Sequence, residues 1–173
     1  MTIPANQLHD LPILSLETSE PVGHTIKPIV RMDNLQVVAL RCAKTGQRSP
    51  FLLLTSDIRQ LTIEYLIINS ETDLLKLDDV VRLRDIVAAD FDPIGRTVVS
   101  EGGHHHGVVR DYHIDGLTAL IRSILVGPRL FASASKTTLI HREQIVDVTP
   151  KRIVVQDAIE LDTASPMVPD IAA

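Results

Sequence analysis

The sequence predicts a mainly β fold: two small tandem β-barrels with short helical turns and a short linking helix. Hydrophobic residues make up 45% of the 173 residues and aromatic residues only 3%, so the core must consist of Val, Ile and Leu. β-Branched side chains favour strands because they fit a pleated surface. The apolar runs are short and separated by turn residues, and the same order of blocks occurs twice. Together these features indicate a repeated all-β unit.

In the first half, short apolar runs alternate with turn residues. Met32-Asp33-Asn34 predicts a turn, because Asn and Asp tolerate a positive φ. Ser56 or Asp57 is predicted to N-cap a single helical turn that continues to Gln60. The predicted strands are residues 12–16, 25–30, 36–42, 51–54 and 65–69.

The second half has a similar pattern, in which Asp115-Gly116 predicts a hairpin turn. Its predicted strands are residues 97–100, 108–114, 118–126, 138–141 and 152–156. Between the halves, residues 77–87 predict the linking helix. Val80, Leu83 and Val87 share one helical face, and Asp78 is placed to cap it.

The two halves can be aligned block by block. Ile94 follows Val22 by 72 positions, Ala119 follows Ala39 by 80, and Ile145 follows Ile58 by 87. The growing displacement predicts an insertion at residues 100–107 of the second half. The predicted domains are residues 8–76 and 77–162, followed by a disordered tail at 163–173 that is rich in Pro and Ala.

These blocks resemble the PRC-barrel family. The resemblance extends over residues 11–161 in two copies, and the family includes the cytoplasmic domain of the photosynthetic reaction-centre H subunit and the C-terminal domain of the ribosome-maturation factor RimM. It implies a small β-barrel that binds other macromolecules, and no particular chemistry. The resembling residues are Val22-Gly23, Ile94-Gly95, the turn-then-strand units 33–40 and 111–120, and Ser56-Asp57-Ile58, which is similar to the family's Ser-Asp-Ile segment.

Charge and cysteine content narrow the class of protein. The formal charge is −5, which is opposite to the basic surplus of a general nucleic-acid binder. The single cysteine, Cys42, lies in an apolar run and is predicted to be a buried strand thiol. Without a disulfide framework, a signal-peptide pattern or an apolar run of about 20 residues, we expect a cytoplasmic protein with no membrane insertion.

A run of three histidines, His104, His105 and His106, is the candidate metal site. Imidazole is a ready ligand for Zn, Cu or Ni, and Glu101 or His113 is a candidate to complete the shell. However, side chains alternate between the two faces of a strand, so the three rings cannot all ligate one ion without a turn. An exposed polar loop is therefore the favoured interpretation, with metal binding or pH sensing as alternatives.

We expect a non-enzymatic adaptor without a cofactor that binds another protein. The sequence contains no Gly-x-Ser-x-Gly, Gly-x-x-x-x-Gly-Lys or Gly-x-Gly-x-x-Gly motif. A strand edge or the groove between the barrels would bind the partner, and edge pairing between copies would give a homodimer. A metal-responsive barrel that uses His104–His106 is one alternative. The other is RNA or ribosome association through Arg122, Arg129, Lys136, Arg142, Lys151 and Arg152.

Overall fold

The computed structural model describes residues 2–47, 49–129 and 137–157. The fold is mainly β, as predicted, with two seven-stranded sheets and one short helix, α1 (Arg84–Ala89). In chain order the strands are β1 (Thr2–Pro4), β2 (Pro12–Ser15), β3 (Pro21–Arg31), β4 (Gln36–Lys44), β5 (Pro50–Leu54), β6 (Ile58–Leu61), β7 (Leu66–Ile68), β8 (Leu74–Lys76), β9 (Thr97–Ser100), β10 (His105–Asp115), β11 (Ile121–Gly127), β12 (Thr138–His141), β13 (Ile145–Val148) and β14 (Arg152–Val155).

Both sheets have the same strand order. The first runs β6-β7-β2-β3-β4-β5 with β8 added at the end, and the second runs β13-β14-β9-β10-β11-β12. In each, one parallel pair (β2 with β7, β9 with β14) is combined with antiparallel neighbours. The second sheet gains its seventh strand from the start of the chain, because β1 pairs with β10.

The pairing register is also shared, and it corrects the predicted alignment. In the first sheet Gly23 pairs with Lys44 and Thr25 with Cys42. In the second sheet Val109 pairs with Val126, and these two residues follow Thr25 and Cys42 by 84 positions each. The displacement is 85 between β2 and β9 and 87 between β6 and β13. The displacements of 72 and 80 were wrong because they matched similar sequences in non-equivalent positions.

Every predicted strand overlaps an observed one, but β1, β6, β8 and β13 were missed. The helical turn predicted through Gln60 is wrong: a 3-10 turn spans Thr55–Asp57, and β6 follows it at once. Ile58–Leu61 extends because it pairs with β7, so tertiary pairing overrides the local capping signal. The second half repeats this arrangement, with a 3-10 turn at Arg142–Gln144 followed by β13.

The linking segment is less helical than predicted. Two 3-10 turns, Leu77–Asp79 and Val81–Leu83, precede α1, and Asp78 makes no capping hydrogen bond. The predicted apolar face is confirmed. Its members are buried in one cluster with residues of β3, β4 and β5, and this cluster comprises Val80, Leu83, Val87, Ile29, Ala39 and Leu52.

The two sheets meet through a reciprocal exchange of hydrogen bonds between equivalent hairpins. Val37 N–H donates to Ala119 O at 2.9 Å, and Ile121 N–H donates to Leu35 O at 3.0 Å. Leu35 and Ala119 both have positive φ, 48° and 57°, which turns their carbonyls towards the opposite hairpin. Each donor and acceptor is 84 positions from its counterpart, so the junction has an approximate two-fold symmetry.

The larger of the two hydrophobic clusters extends through both sheets. It includes residues from β1, from the turn Ala5–Leu8 and from strands of each half. Residues 2–4 therefore belong by sequence to the first half but pair with the second sheet. The division into domains at 8–76 and 77–162 stays a prediction, and the predicted tail at 163–173 lies outside the described residues.

Two equivalent glycines, Gly23 and Gly107, are required where neighbouring strands approach closely. A Cβ at either position would lie 2.2 Å from a carbonyl oxygen, that of Ala43 or of Gly127. We expect Gly23→Ala to lower the free energy of unfolding by about 1–3 kcal/mol. Gly107→Ala should lower it further, because its φ of +125° strains an L residue.

Urea unfolding of the two variants checks this, with Gly46→Ala as the control. Gly46 also has a positive φ, +76°, but a Cβ at this position would have no atom within 4 Å, so this variant reports backbone strain alone. If Gly107→Ala were no more destabilised than Gly46→Ala, the close approach of strands would not be the limiting constraint.

Candidate functional site

The histidine loop, residues 101–106, comprises the connection between β9 and β10 and the first two residues of β10. His104 and His106 lie on the same side, with ring centroids 5.0 Å apart in an edge-to-face arrangement. His105 lies between them at the start of β10 and is exposed, on the groove lined by Thr97, Lys151 and Arg152. The predicted alternation of the three side chains is therefore confirmed.

This loop is not the insertion that the alignment predicted. Its equivalent in the first sheet is the connection between β2 and β3, residues 16–20, which is one residue longer than residues 101–104. The predicted insertion at 100–107 is wrong, because it followed from the incorrect displacements. Histidines therefore replace other residues in a loop common to both halves.

Asp157 holds the histidine loop through a hydrogen bond to the loop backbone. Its Oδ1 accepts a hydrogen bond from Gly102 N–H at 2.8 Å, and His104 N–H donates to Ser100 Oγ at 3.2 Å. The hydrogen bonds from Gly102 N–H and from the Ser100 side chain lower the pKa of Asp157. The carboxylate thus remains ionised and holds the loop against the end of β14.

The surroundings of His106 make its imidazole harder to protonate. Burial lowers the pKa of His106, and the neighbouring His104 lowers it further, against a smaller opposite effect of Asp157. Its Nε2 is buried and has no hydrogen-bond partner among the residues that the structure describes. A neutral imidazole is what a metal ligand requires, but it is also what simple burial produces.

The predicted shell for a metal does not assemble around these rings. Among residues 2–47, 49–129 and 137–157, no three His, Cys, Asp or Glu side chains are grouped to hold an ion. His113 lies seven residues further along β10, about 23 Å away at strand rise, and its Nδ1 is 3.0 Å from Ser123 Oγ. Metal binding by His104, His105 and His106 stays a prediction.

We expect stability to fall with acid in a way that depends on His106. Its pKa is below the ordinary 6.5, so the unfolded chain binds the proton more readily than the folded one. Stability is therefore lost as the pH falls below 6.5, and the loss levels off below the folded-state pKa. His106→Gln should remove this component of the pH dependence. The measurement is thermal unfolding at a series of pH values from 7.5 to 5, a range of ~2.5 pH units in which histidine titrates.

His105→Gln, on the exposed neighbour, is the control and should retain the dependence. Asp157 acts in a separate window, since its lowered pKa removes stability only as the pH falls below its ordinary 3.8. Equal slopes for the two histidine variants between pH 7.5 and 5, a range of ~2.5 pH units, would contradict the assignment to His106.

The carboxylates of β10 have structural roles. Asp111 Oδ1 accepts from Tyr112 N–H at 2.8 Å and from Asn6 N–H at 3.3 Å. Asp115 Oδ1 accepts from the backbone N–H groups of Thr118 and Leu117, and these bonds lower its pKa to about 2. The hairpin turn predicted at Asp115-Gly116 is confirmed between β10 and β11.

Cys42 is a core residue. Its side chain is fully buried, and burial raises the pKa of the thiol to about 12. The thiolate is therefore scarce at neutral pH, as the prediction of a buried strand thiol requires.

The basic residues of the second half do not all point to solvent. Arg142 donates to the backbone carbonyls of Asn34 and Leu35 across the junction between the sheets, and to that of Ile121 in the second sheet. Arg122 forms an ion pair with Asp115 at 3.2 Å. Arg129, Lys151 and Arg152 are exposed, and Lys136 lies outside the described residues.

Arg142 is therefore predicted to stabilise the fold. Arg142→Ala should lower the free energy of unfolding by about 1–3 kcal/mol, because the half-buried Asn34 carbonyl loses the guanidinium as its donor and the Leu35 carbonyl keeps only the Ile121 N–H. The exposed Arg152→Ala should change it by no more than about 0.5 kcal/mol. Chemical denaturation of both variants checks this, and similar stabilities would show that the junction does not depend on the guanidinium.

An apolar groove along the linking segment was not predicted from the sequence. This surface, here called the linker groove, has a volume of about 590 Å³ and is flanked by Arg31, Arg82 and Asp79. The side chain of Val81 is 66% exposed at its rim, and that of Leu77 in the preceding turn is 39% exposed. The apolar lining consists of Val38, Leu54, Leu75, Val80, Val81 and Leu83. The only signal for this groove in the sequence was Val81, a valine that lies outside the predicted apolar face.

The fold places the protein in the class of small β-barrel domains. The family model of the PRC-barrel domain matches residues 85–161, and this part of the chain is a PRC-barrel domain. The predicted family is thus confirmed for the second half, while the match does not extend to the first. No curated protein sequence matches the chain. Among the described residues, no helix has the length and apolar character needed to cross a membrane.

Proposed function

We propose that the chain is a non-enzymatic adaptor that binds another protein through the linker groove. The observation that carries this proposal is Val81, whose side chain is 66% exposed on an apolar groove. Contiguous exposed apolar surface with a polar rim is typical of protein interaction sites, because association removes it from water. A PRC-barrel is a kind of binding module, which agrees with this proposal.

The linking segment has the shape for such a role. Its inward residues Val80, Leu83 and Val87 are buried against the first sheet, so the segment is anchored. Val81 lies between these anchors and points away from them. Arg31 and Arg82 supply polar groups at the rim, where they fix orientation more than they add affinity.

We also propose that the first half is a second copy of the PRC-barrel unit. Support comes from the shared strand order, and from a register that is displaced by 84 positions along both β3 and β4. Irregularities in the pairing repeat as well: a shift between Thr25 and Lys27 corresponds to one between Val109 and Asp111. We further propose that the protein is cytoplasmic and that it forms a homodimer.

RNA association receives less support. Two of the basic residues assigned to it, Arg122 and Arg142, are engaged within the protein. The remaining ones would have to act without the aromatic platform on which single-stranded bases stack.

Val81→Glu is predicted to reduce capture of the protein partner without unfolding the chain. A carboxylate on the groove would have to be desolvated on binding, so we expect at least a tenfold loss, equivalent to about 1.4 kcal/mol. The measurement is affinity capture from nuclease-treated native lysate, followed by titration of the partner that is identified. Leu117→Glu is the matched control, because Leu117 is 93% exposed on a hairpin turn and does not line the linker groove.

Equal loss in both variants, or none in Val81→Glu, would overturn the linker groove as the binding surface. If nuclease treatment alone abolished capture, the retained material would be bound through nucleic acid and the adaptor proposal would fail. A complex whose mass is twice that of the chain would identify the protein partner as a second copy.

A further inference from the structure

The linking segment carries charges of both signs beside its exposed valine. Asp79, Val81 and Arg82 all line the linker groove, and all three are exposed. Although Asp79 and Arg82 are three positions apart, neither forms an ion pair within the described part of the chain. One short exposed stretch therefore offers an acidic, an apolar and a basic side chain to a partner.

The backbone that carries these side chains is anchored. Val80 and Leu83, which alternate with the exposed residues, are buried in the cluster that packs on the first sheet. The two 3-10 turns, 77–79 and 81–83, meet at Val80. A surface that is already ordered loses little backbone freedom on association, which favours binding.

The order of these side chains is complementary to itself. In an isologous contact the same patch of two subunits meets around a two-fold axis, so residue i contacts residue j and residue j contacts residue i. With the axis close to Val81 and the two segments antiparallel, Asp79 of each copy lies opposite Arg82 of the other. A parallel arrangement would instead oppose like charges, which disfavours it.

We propose that the linker groove binds the same groove of a second copy of this chain, which gives an antiparallel two-fold homodimer. Val81 of each copy packs against the apolar lining of the other, and Asp79 pairs with Arg82 at two equivalent places. A purely acidic or purely basic partner would complement only one of these two charges, whereas a second copy complements both. This inference rests on the proposed function, because it keeps the linker groove as the binding surface and names its partner.

The composition of the groove predicts a weak, reversible dimer. Arg31 lines it together with Arg82 and Asp79, so each groove has a small positive excess that opposes the approach of a second copy. A contact confined to a groove of about 590 Å³ is typical of transient association, which buries less than about 1,200 Å² in total. The two ion pairs therefore set the orientation of the dimer more than its affinity.

The test is a charge exchange, measured by sedimentation equilibrium of the full chain from about 1 µM to 1 mM. Asp79→Arg and Arg82→Asp each oppose like charges at both ion pairs, so each variant should dimerise at least about fivefold more weakly than the native chain. An equimolar mixture of the two variants should form the dimer again, because each then meets opposite charges in the other. Glu143→Arg and Arg152→Asp are the matched controls, since both residues are exposed and neither lines the linker groove.

A native chain that stays monomeric up to about 1 mM would overturn the proposal. The same holds if the two groove variants dimerise as well as the controls, or if their mixture stays monomeric. A monomeric native chain whose capture of a different protein is lost in Val81→Glu would retain the linker groove and exclude the second copy as its partner. A dimer that follows the charge exchange, in a chain that captures no other protein, would retain the second copy and remove the adaptor role.

Discussion

The structure depends on one exchange of backbone hydrogen bonds, in which the hairpins at Leu35 and Ala119 each donate to and accept from the other. Both residues must adopt a positive φ to present their carbonyls, a conformation that costs an L residue roughly 1–2 kcal/mol. The cost is offset because the exchange brings the two sheets together around one core. Arg142 adds hydrogen bonds to the Asn34 and Leu35 carbonyls of one hairpin, so the symmetry of the junction is approximate.

The candidate surfaces arise where this symmetry fails. The segments that precede β2 and β9 are equivalent in position, yet one forms a strand and the other a helix. The helix and the 3-10 turns before it leave grooves on either side of the linking segment, whereas β1 closes the corresponding edge of β10. A repeated fold supplies the stable frame, and departures from the repeat supply the surfaces at which a partner can bind.

Sequence reasoning succeeded where local chemistry decides the outcome. Runs of β-branched residues became strands, Asp115-Gly116 became a hairpin turn, and Cys42 is buried. It failed where distant pairing decides. Gly23 corresponds to Gly107, which shares no local motif with it, because both accommodate a carbonyl oxygen of the adjacent strand. β1 was missed because three residues ending in proline carry no periodicity, and the linker groove because exposure of Val81 depends on how its neighbours pack.

Placing both hairpins on one chain has a thermodynamic consequence. Two separate subunits joined by the same exchange would dissociate on dilution, whereas the linked halves meet at a fixed effective concentration set by the segment between them. The junction is therefore insensitive to how much protein is present. Covalent linkage also frees each half from being identical to the other, so that Lys27 can form its ion pair with Asp90 while Asp111, at the matching position, binds the Asn6 backbone. One half can therefore acquire its own side-chain contacts while the hydrogen-bond exchange between the halves is kept.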